Sequence, residues 1–244
     1  MITTPQNRIG GALLVIGTCL VIGTLFFTPG LALIDFADAD DFIGIGEAVR
    51  NNTALSIFTA TFGVFGLVLQ LHGLLALRKT AAGESANDTI ARFGVMAIGL
   101  GVIISIIDRT LFYTAAHTMT YGIGAGTGPD QTQLLDFLAV MLLKMQSAFN
   151  FVGFIAFLLG AMGLGVGLLP RLRSTPYRVV GALTVLSCLV STVFVAAISP
   201  FYGLAGTFFL LFAVSVNLAN AFLIMLGVGL YKGVPELVGT DQSA

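Results

Sequence analysis

Apolar residues fill six long stretches of the chain, and polar residues, glycines and prolines separate these stretches. They cover residues 9–29, 53–77, 92–116, 134–169, 178–199 and 203–231. A helix needs ~20 mainly apolar residues to cross a hydrocarbon core ~30 Å thick, because each residue rises ~1.5 Å. The stretches are too long for membrane β-strands and lack their period of two. The pattern predicts an all-α transmembrane helical bundle with six spanning helices, in a single domain over residues 1–244.

The composition independently places the chain in a membrane. Of its 244 residues, 57% are hydrophobic and only 9% are charged, whereas a soluble domain is roughly 25% charged. So few charges cannot cover a surface that faces water, so the predicted partner is the lipid bilayer. A net charge of −1 argues against nucleic acid as a partner. Cys19 and Cys188 both lie inside apolar stretches, which is typical of buried thiols.

Basic residues concentrate at one set of predicted helix ends. The set comprises eight of the eleven Lys and Arg residues: Arg8, Arg78, Lys79, Arg92, Arg171, Arg173, Arg178 and Lys232. The opposite ends carry Arg50 and the acidic stretch DFADADDFIGIGE, which begins at Asp35. Because cytoplasmic loops are enriched in Lys and Arg, we expect a multi-pass cell-membrane protein with both termini cytoplasmic. Loops 30–52 and 117–133 are then external.

A cleaved signal peptide is the alternative interpretation of the first stretch. Arg8, the apolar run and the ADA triplet at 37–39 resemble the three regions of such a peptide. The apolar run of ~19 residues is longer than the usual hydrophobic region of a signal peptide. A spanning helix is therefore favoured, and cleavage would leave five spans.

The acidic stretch after the first span invites a calcium-binding interpretation, which its spacing does not support. Counted from Asp38, two ligand positions of an EF-hand loop are occupied by the apolar residues Phe42 and Val49. The stretch is therefore predicted to be a solvated acidic loop.

Similar segments recur along the chain and suggest duplicated helical hairpins. The first span opens RIGGALLVIGTCLV and the fifth RVVGALTVLSCLV, while the fourth and sixth both end LGVGL. Three hairpins related by duplication would explain this similarity. Chance is the alternative, because sequences built from Leu, Val, Gly and Ala match one another easily.

Asp108 and Arg109 interrupt the third apolar stretch, in SIIDRTLFY. An ionised residue at the bilayer centre costs ~2.5–3.5 kcal/mol, so each needs a partner or a route to water. The fourth stretch offers Asp136 and Lys144. Measured from the loop between these stretches, Asp108 and Lys144 lie at similar depths, ~13 and ~16 Å. We therefore predict an Asp108–Lys144 ion pair in the outer half of the bundle, with Arg109 directed toward Asp136 or the headgroups.

Two interpretations of this polar cluster remain open: a structural link between helices, and the lining of a path for an ion or substrate. Further polar residues could serve either role. They are Gln70 and His72 near the basic ends, Asn150 one turn after Gln146, and Asn217 with Asn220. Such amides usually form hydrogen bonds between helices.

Sequence signatures of catalysis are missing from the chain. It contains no HExxH motif, no Cys/His cluster and no Walker loop, and the glycine-rich YGIGAGTGPD does not fit GxGxxG. Its two histidines, His72 and His117, are expected near opposite faces and cannot both hold one haem. We therefore predict no cofactor, no metal and no catalytic residues, and an enzyme ranks last among the candidate functions.

Three segments of the chain have features in common with a known family: the opening RIGGALLVIGTCLVIGTLFF, a second span ending GLLALRKT, and a fourth segment ending GLGVGLLPRLRS. On these segments the chain resembles a family of uncharacterised six-helix prokaryotic membrane proteins known only as a domain of unknown function. The resemblance implies a helical bundle and no particular activity. Two functions follow as hypotheses: a small transporter or channel-like protein, and a structural or accessory subunit. A homo-oligomer or a membrane-complex partner is compatible with either.

Overall fold

The computed structural model describes residues 4–38, 41–81, 83–124, 129–198 and 205–238, which contain eight helices and no strand. The helices are α1 (Pro5–Phe27), α2 (Phe42–Asn51), α3 (Thr53–Thr80), α4 (Ala86–Gly124), α5 (Pro129–Leu168), α6 (Thr175–Ile198), α7 (Ala205–Lys232) and α8 (Pro235–Val238). Six of them, α1 and α3 to α7, are long and apolar enough to cross a membrane. This confirms the predicted all-α bundle and its six spans.

Helices α4 and α5 extend into the segment that was predicted to be an external loop. Helix α4 ends at Gly124 rather than at 116, and α5 begins at Pro129. Within the predicted loop 117–133, residues 117–124 and 129–133 are helical, and residues 125–128 lie outside the described part of the chain. With 39 and 40 residues, the helices are each ~60 Å long, about twice the ~30 Å hydrocarbon core. They must therefore tilt strongly or extend beyond the membrane.

The sequence suggested that the acidic stretch is a loop throughout. Its second half instead forms the amphipathic helix α2. The Asp41 carboxylate accepts a hydrogen bond from the Gly44 backbone N–H at 2.9 Å and so caps the helix. Ile45, Ala48 and Val49 are buried, at the spacing of one helical face. Residues 39 and 40 of this stretch lie outside the described part of the chain.

The chain forms two compact units, and helices α1, α3, α4 and α5 each contribute to both. Unit 1 comprises Met1–Thr18, Leu69–Val102 and Gly153–Ala244. Unit 2 comprises Cys19–Val68 and Ile103–Val152.

Within unit 1, glycines bring helix backbones into direct contact. A Cβ atom on Gly94 of α4 would overlap the backbone nitrogen of Leu164 of α5, and one on Gly160 would overlap that of Ile98. Between α1 and α7, a Cβ on Gly227 would lie 2.9 Å from the Gly11 carbonyl oxygen. Lipid gives helices no hydrophobic reason to associate, so close packing at small residues supplies much of the attraction between them.

Hydroxyl groups add polar links between α6 and α7 of unit 1. The side-chain oxygens of Ser191 and Ser215 lie 2.7 Å apart, and Ser215 also donates to the Ser187 carbonyl at 2.9 Å. One helical turn away, Thr184 donates to the Leu218 carbonyl at 3.2 Å. These links satisfy polar groups that would otherwise be costly in a membrane.

Unit 2 has its own apolar core, which α2, α3, α4 and α5 build together. Its buried members are Ile45, Val49, Ala60, Phe112, Ala115, Ala116, Met119, Ala139 and Leu143. Small residues from α4 and α5 alternate with large ones, so the two helices interdigitate. Helix α2 covers this core with its apolar face.

We expect Gly94→Ala to lower the thermal stability of the detergent-solubilised protein. The added methyl group must push α4 away from α5, and overpacking of this kind typically costs ~1–3 kcal/mol. The matched control is Gly23→Ala in α1, where a Cβ meets no atom within 4 Å and should be tolerated. Equal melting temperatures for the two variants would contradict the close packing of α4 and α5.

Candidate functional site

The most unusual polar residues of unit 2 are Asp108 and Arg109, which are neighbours on α4. Both are buried, with relative exposures of 3% and 7%. The Arg109 Nε lies 3.8 Å from the Asp108 Oδ2, which allows electrostatic attraction but exceeds hydrogen-bonding distance. Each group therefore needs further partners.

Helix α5 supplies the partners of the Asp108 carboxylate. The Gln146 Nε2 donates a hydrogen bond to the Asp108 Oδ1 at 2.7 Å. Asn150, one turn further along α5, also interacts with this carboxylate through its side chain. The Gln146 amide of one helix thus holds the Asp108 carboxylate of the next.

Thr28, the residue that follows the C-terminal end of α1, is the partner of the Arg109 guanidinium. The Arg109 Nη1 donates to the Thr28 Oγ1 at 3.1 Å, and the Thr28 hydroxyl in turn donates to the Thr24 carbonyl at 2.6 Å. Gly63 of α3 lies alongside, so that a Cβ there would be 3.5 Å from the Arg109 Cδ. Asp108 and Arg109 together connect α4 to α5 on one side and to α1 on the other.

The predicted ion pair between Asp108 and Lys144 is wrong. Lys144 is exposed, and its Nζ lies 5.8 Å from the centre of the Phe42 ring. The depths matched, but the angular positions did not. Since each helical residue turns ~100°, Lys144 points ~200° away from Gln146, the residue that faces Asp108.

Of the two predicted orientations of Arg109, the one toward Asp136 is wrong, and the one toward the headgroups stays a prediction. Asp136 instead forms an ion pair with Arg50, and about 40% of each side chain is exposed. Arg50 belongs to α2, which the sequence pattern had suggested to be a loop. Because α2 packs on α5, the ion-pair partner of Asp136 is Arg50 and not Arg109.

Among the remaining candidate residues, some form hydrogen bonds between helices and others lie on the surface. Gln70 is buried, and its Nε2 donates to the Thr18 Oγ1 of α1 at 3.2 Å, which makes it an interhelical link. His72 is exposed. Asn217 is exposed and donates at 2.8 Å to the Ala213 carbonyl of its own helix, contrary to the interhelical expectation. Asn220 is buried, so it does not share the orientation of Asn217.

Sequence reasoning missed a second buried carboxylate, that of Asp88 in unit 1. Arg171 forms an ion pair with Asp88 and also donates to the Thr80 carbonyl at 3.4 Å. The Ser85 hydroxyl donates to the Asp88 Oδ2 at 2.5 Å, and the Asp88 backbone N–H donates back to the Ser85 Oγ at 3.2 Å. The pattern Ser-x-x-Asp before an apolar helix resembles a capping box and could have revealed this residue.

A recess of about 230 Å³ opens beside Arg109 in unit 2. Helix α3 contributes Ala60, Thr61 and Val64 to its wall, and α4 contributes Arg109, Thr110 and Tyr113. The Asp108 carboxylate is not among the lining groups. The recess therefore contacts the basic member of the buried pair and not the acidic one.

The part of the chain that the structure describes contains no group of three or more His, Cys, Asp or Glu residues that could hold a metal ion. Cys19 and Cys188 are both free thiols, but only Cys188 is buried, so the expectation of a buried thiol is wrong for Cys19. Through their charges and their donor and acceptor groups, Asp108 and Arg109 can form hydrogen bonds and attract ions or dipoles.

Comparisons with known proteins add no assignment. No family model, no curated protein and no solved structure matches the chain.

Removing one charge of the buried pair should be far more harmful than removing an exposed one. We expect Asp108→Ala to cost ~3–5 kcal/mol of unfolding free energy, because Arg109 then stays buried without a carboxylate. The double variant Asp108→Ala/Arg109→Met should be milder, since no uncompensated charge remains. Asp136→Ala, which breaks an exposed ion pair, should cost less than ~1 kcal/mol. Unfolding in detergent measures all three, and an Asp108→Ala loss no larger than that of Asp136→Ala would refute the role of the network.

Proposed function

We propose that this multi-pass membrane protein has a structural or accessory role, in which the buried polar residues hold helices together and do not line a transport path. The observation that carries the proposal is the burial of Asp108 together with the hydrogen bond from the Gln146 amide to its carboxylate. A path for ions or polar solutes requires charged groups that water can reach. At 3% exposure, Asp108 is closed to water.

The ion pairs of the described residues support this role. Asp88 and Asp108 are both buried, and each takes a hydrogen-bond partner from a different segment, Arg171 and Gln146 respectively. The third ion pair, between Arg50 and Asp136, joins α2 to α5. The two ion pairs Asp88–Arg171 and Arg50–Asp136 and the hydrogen bond from Gln146 to Asp108 thus each link two segments of the chain, as expected of groups that fix a bundle.

The packing of unit 1 supports the same interpretation. The backbones of α4 and α5 touch at Gly94 and Gly160, and hydroxyl groups bind α6 to α7 at Ser191 and Ser215. Van der Waals contact and hydrogen bonds are the main forces that hold helices together in lipid. A scaffold that depends on both forces is suited to a fixed arrangement.

A small transporter or channel-like protein is the second candidate, and the recess beside Arg109 favours it. Arg109 lines this recess and contacts Asp108 electrostatically. A conformation that separates Gln146 from Asp108 would uncover the carboxylate and enlarge the recess. Transport would then depend on the charge of Asp108.

Flux measurements with purified protein in liposomes distinguish the two candidates. The informative variant is Asp108→Asn, which removes the charge but keeps a side chain that can accept the Gln146 hydrogen bond. We expect wild type and Asp108→Asn to leak protons, potassium and chloride no faster than protein-free liposomes. A flux that wild type supports and Asp108→Asn abolishes, with both proteins equally monodisperse, would replace the structural role by transport.

We also propose that both termini are cytoplasmic. Arg78 and Lys79 occupy the last turn of α3, and Lys232 occupies the last turn of α7. Together with Arg8 in the first turns of α1, they give one set of helix ends the positive charge typical of cytoplasmic loops. Helix α2 would then face the outside.

Cysteine labelling in intact cells tests this orientation. After replacement of Cys19 and Cys188 by Ala, single cysteines are introduced at Phe36, which is 62% exposed, and at Glu84, which is also exposed. A membrane-impermeant maleimide should label the Phe36→Cys variant and spare the Glu84→Cys variant until the cells are lysed. Labelling at position 84 in intact cells would reverse the topology.

A further inference from the structure

The Arg109 guanidinium has more hydrogen-bond donors than its described neighbours use. A guanidinium carries five N–H donors, and one of them goes to the Thr28 hydroxyl at 3.1 Å. Asp108 is too far for a hydrogen bond, at 3.8 Å, and its carboxylate already accepts from Gln146. Among the residues that the structure describes, no other acceptor is bonded to Arg109. Among the described residues, the only buried side-chain polar atom without a partner is the Ser56 Oγ, so the unused Arg109 donors are not sealed inside the protein and can reach a ligand.

The recess beside Arg109 offers a place for the missing acceptor. Tyr113, one turn along α4 from Arg109, also lines the recess, and its hydroxyl is a second donor for an oxyanion. Thr61 and Thr110 contribute differently. Their hydroxyls donate at 2.8 Å to the carbonyls of Ile57 and Ile106 on their own helices. The protons of both hydroxyls are thus committed to their own helices, and the oxygen lone pairs that remain favour a ligand that also carries a hydrogen-bond donor.

The surface next to the recess is apolar on one side. Toward the basic ends of α3 and α4 lie exposed Phe62, Phe65, Ile103 and Ile107. In the opposite direction along α4, the exposed residue next after Tyr113 is Thr114. Along α4 the exposed surface thus changes from apolar to polar at Tyr113, as expected where hydrocarbon gives way to headgroups, whereas α3 continues to expose an apolar residue, Phe58.

The length of α4 also indicates that Arg109 lies near the level of the lipid headgroups. Arg109 follows Arg92 by 17 residues on α4, which corresponds to ~26 Å of helix. The hydrocarbon core is ~30 Å thick, so a helix that enters the membrane near Arg92 brings Arg109 close to the opposite interface.

We propose that the recess between α3 and α4 binds the phosphodiester of a phospholipid whose headgroup donates hydrogen bonds, such as ethanolamine. Arg109 and Tyr113 bind the phosphate oxygens, and Thr61 and Thr110 accept from the headgroup. The acyl chains lie on the apolar surface of Phe62, Phe65, Ile103 and Ile107. Lipid binding here is independent of whether the bundle is a scaffold or a transporter.

The informative variant fills the recess without removing a charge. Thr110→Leu places a larger side chain in the wall of the recess and leaves Arg109, Asp108 and Thr28 unchanged. Thr114→Leu is the matched control, because Thr114 is exposed on the same helix and donates to the Thr110 carbonyl at 2.8 Å, yet does not line the recess. Arg109→Lys keeps the charge but loses the planar donor fork that suits phosphate.

Native mass spectrometry of the delipidated full-length protein, with added dioleoylphosphatidylethanolamine, measures the binding. Wild type and Thr114→Leu should each retain a bound lipid, whereas Thr110→Leu and Arg109→Lys should bind about tenfold more weakly, the effect of losing ~1.4 kcal/mol of binding energy. Dioleoylphosphatidylcholine should bind more weakly than the ethanolamine lipid, and dioleoylglycerol, which lacks phosphate, should not compete. Melting temperatures confirm that the variants are folded.

Two outcomes would overturn the proposal. Equal lipid retention by Thr110→Leu and Thr114→Leu would place the bound lipid elsewhere. If inorganic phosphate alone raised the melting temperature as much as the lipid does, and Thr110→Leu abolished that shift, the recess would be a site for a free anion and not for a phospholipid.

Discussion

The hydrogen bond from the Gln146 amide to the Asp108 carboxylate sets the register between α4 and α5 in unit 2. With these two residues opposed, antiparallel pairing brings Ala115 of α4 level with Ala139 of α5, and both are fully buried. Small side chains at this level let the helices approach closely, and Phe112 and Leu143 fill the adjoining space. The apolar face of α2 then covers the core that results. A shift of one residue along α5 would separate the carboxylate from its amide donor and move these small residues out of alignment.

The adjacent acid and base serve different neighbours. Consecutive residues of a helix point ~100° apart, so Asp108 turns toward α5 while Arg109 turns toward α1 and α3. Their opposite charges make the pair electrically neutral as a whole. Because they lie 3.8 Å apart, they are not hydrogen-bonded to each other, and both groups can form hydrogen bonds with other residues. This geometry lets one short sequence connect three helices, and it leaves the guanidinium with donors to spare beside the recess.

Polar links and glycine contacts together stabilise the packing of the helices. In water, burial of apolar side chains would provide most of the driving force, but lipid is as apolar as those side chains. The contacts of Gly94 and Gly160 in unit 1 maximise backbone packing, and the pair formed by Asp88 and Arg171 adds a strong polar link. The glycines repeat at intervals of seven, at 94 and 101 on α4 and at 153, 160 and 167 on α5. That spacing keeps them on one helical face and was visible in the sequence.

The sequence by itself determined the class of the protein, its six spans and the need of Asp108 and Arg109 for partners, because these follow from the cost of placing polar groups in hydrocarbon. It did not identify those partners. Counting residues from a loop measures depth but not the angular position around a helix, so Lys144 seemed suitable where Gln146 is the residue that faces Asp108. The pairing of Asp136 with Arg50 depended on α2. The sequence analysis did not predict this helix, because its short apolar face lies within an acidic stretch. Thr28 carries no sequence signal at all. Only the packing of α1 against α4 decides that its hydroxyl meets Arg109, since contacts between residues distant in sequence are fixed by how helices approach and rotate.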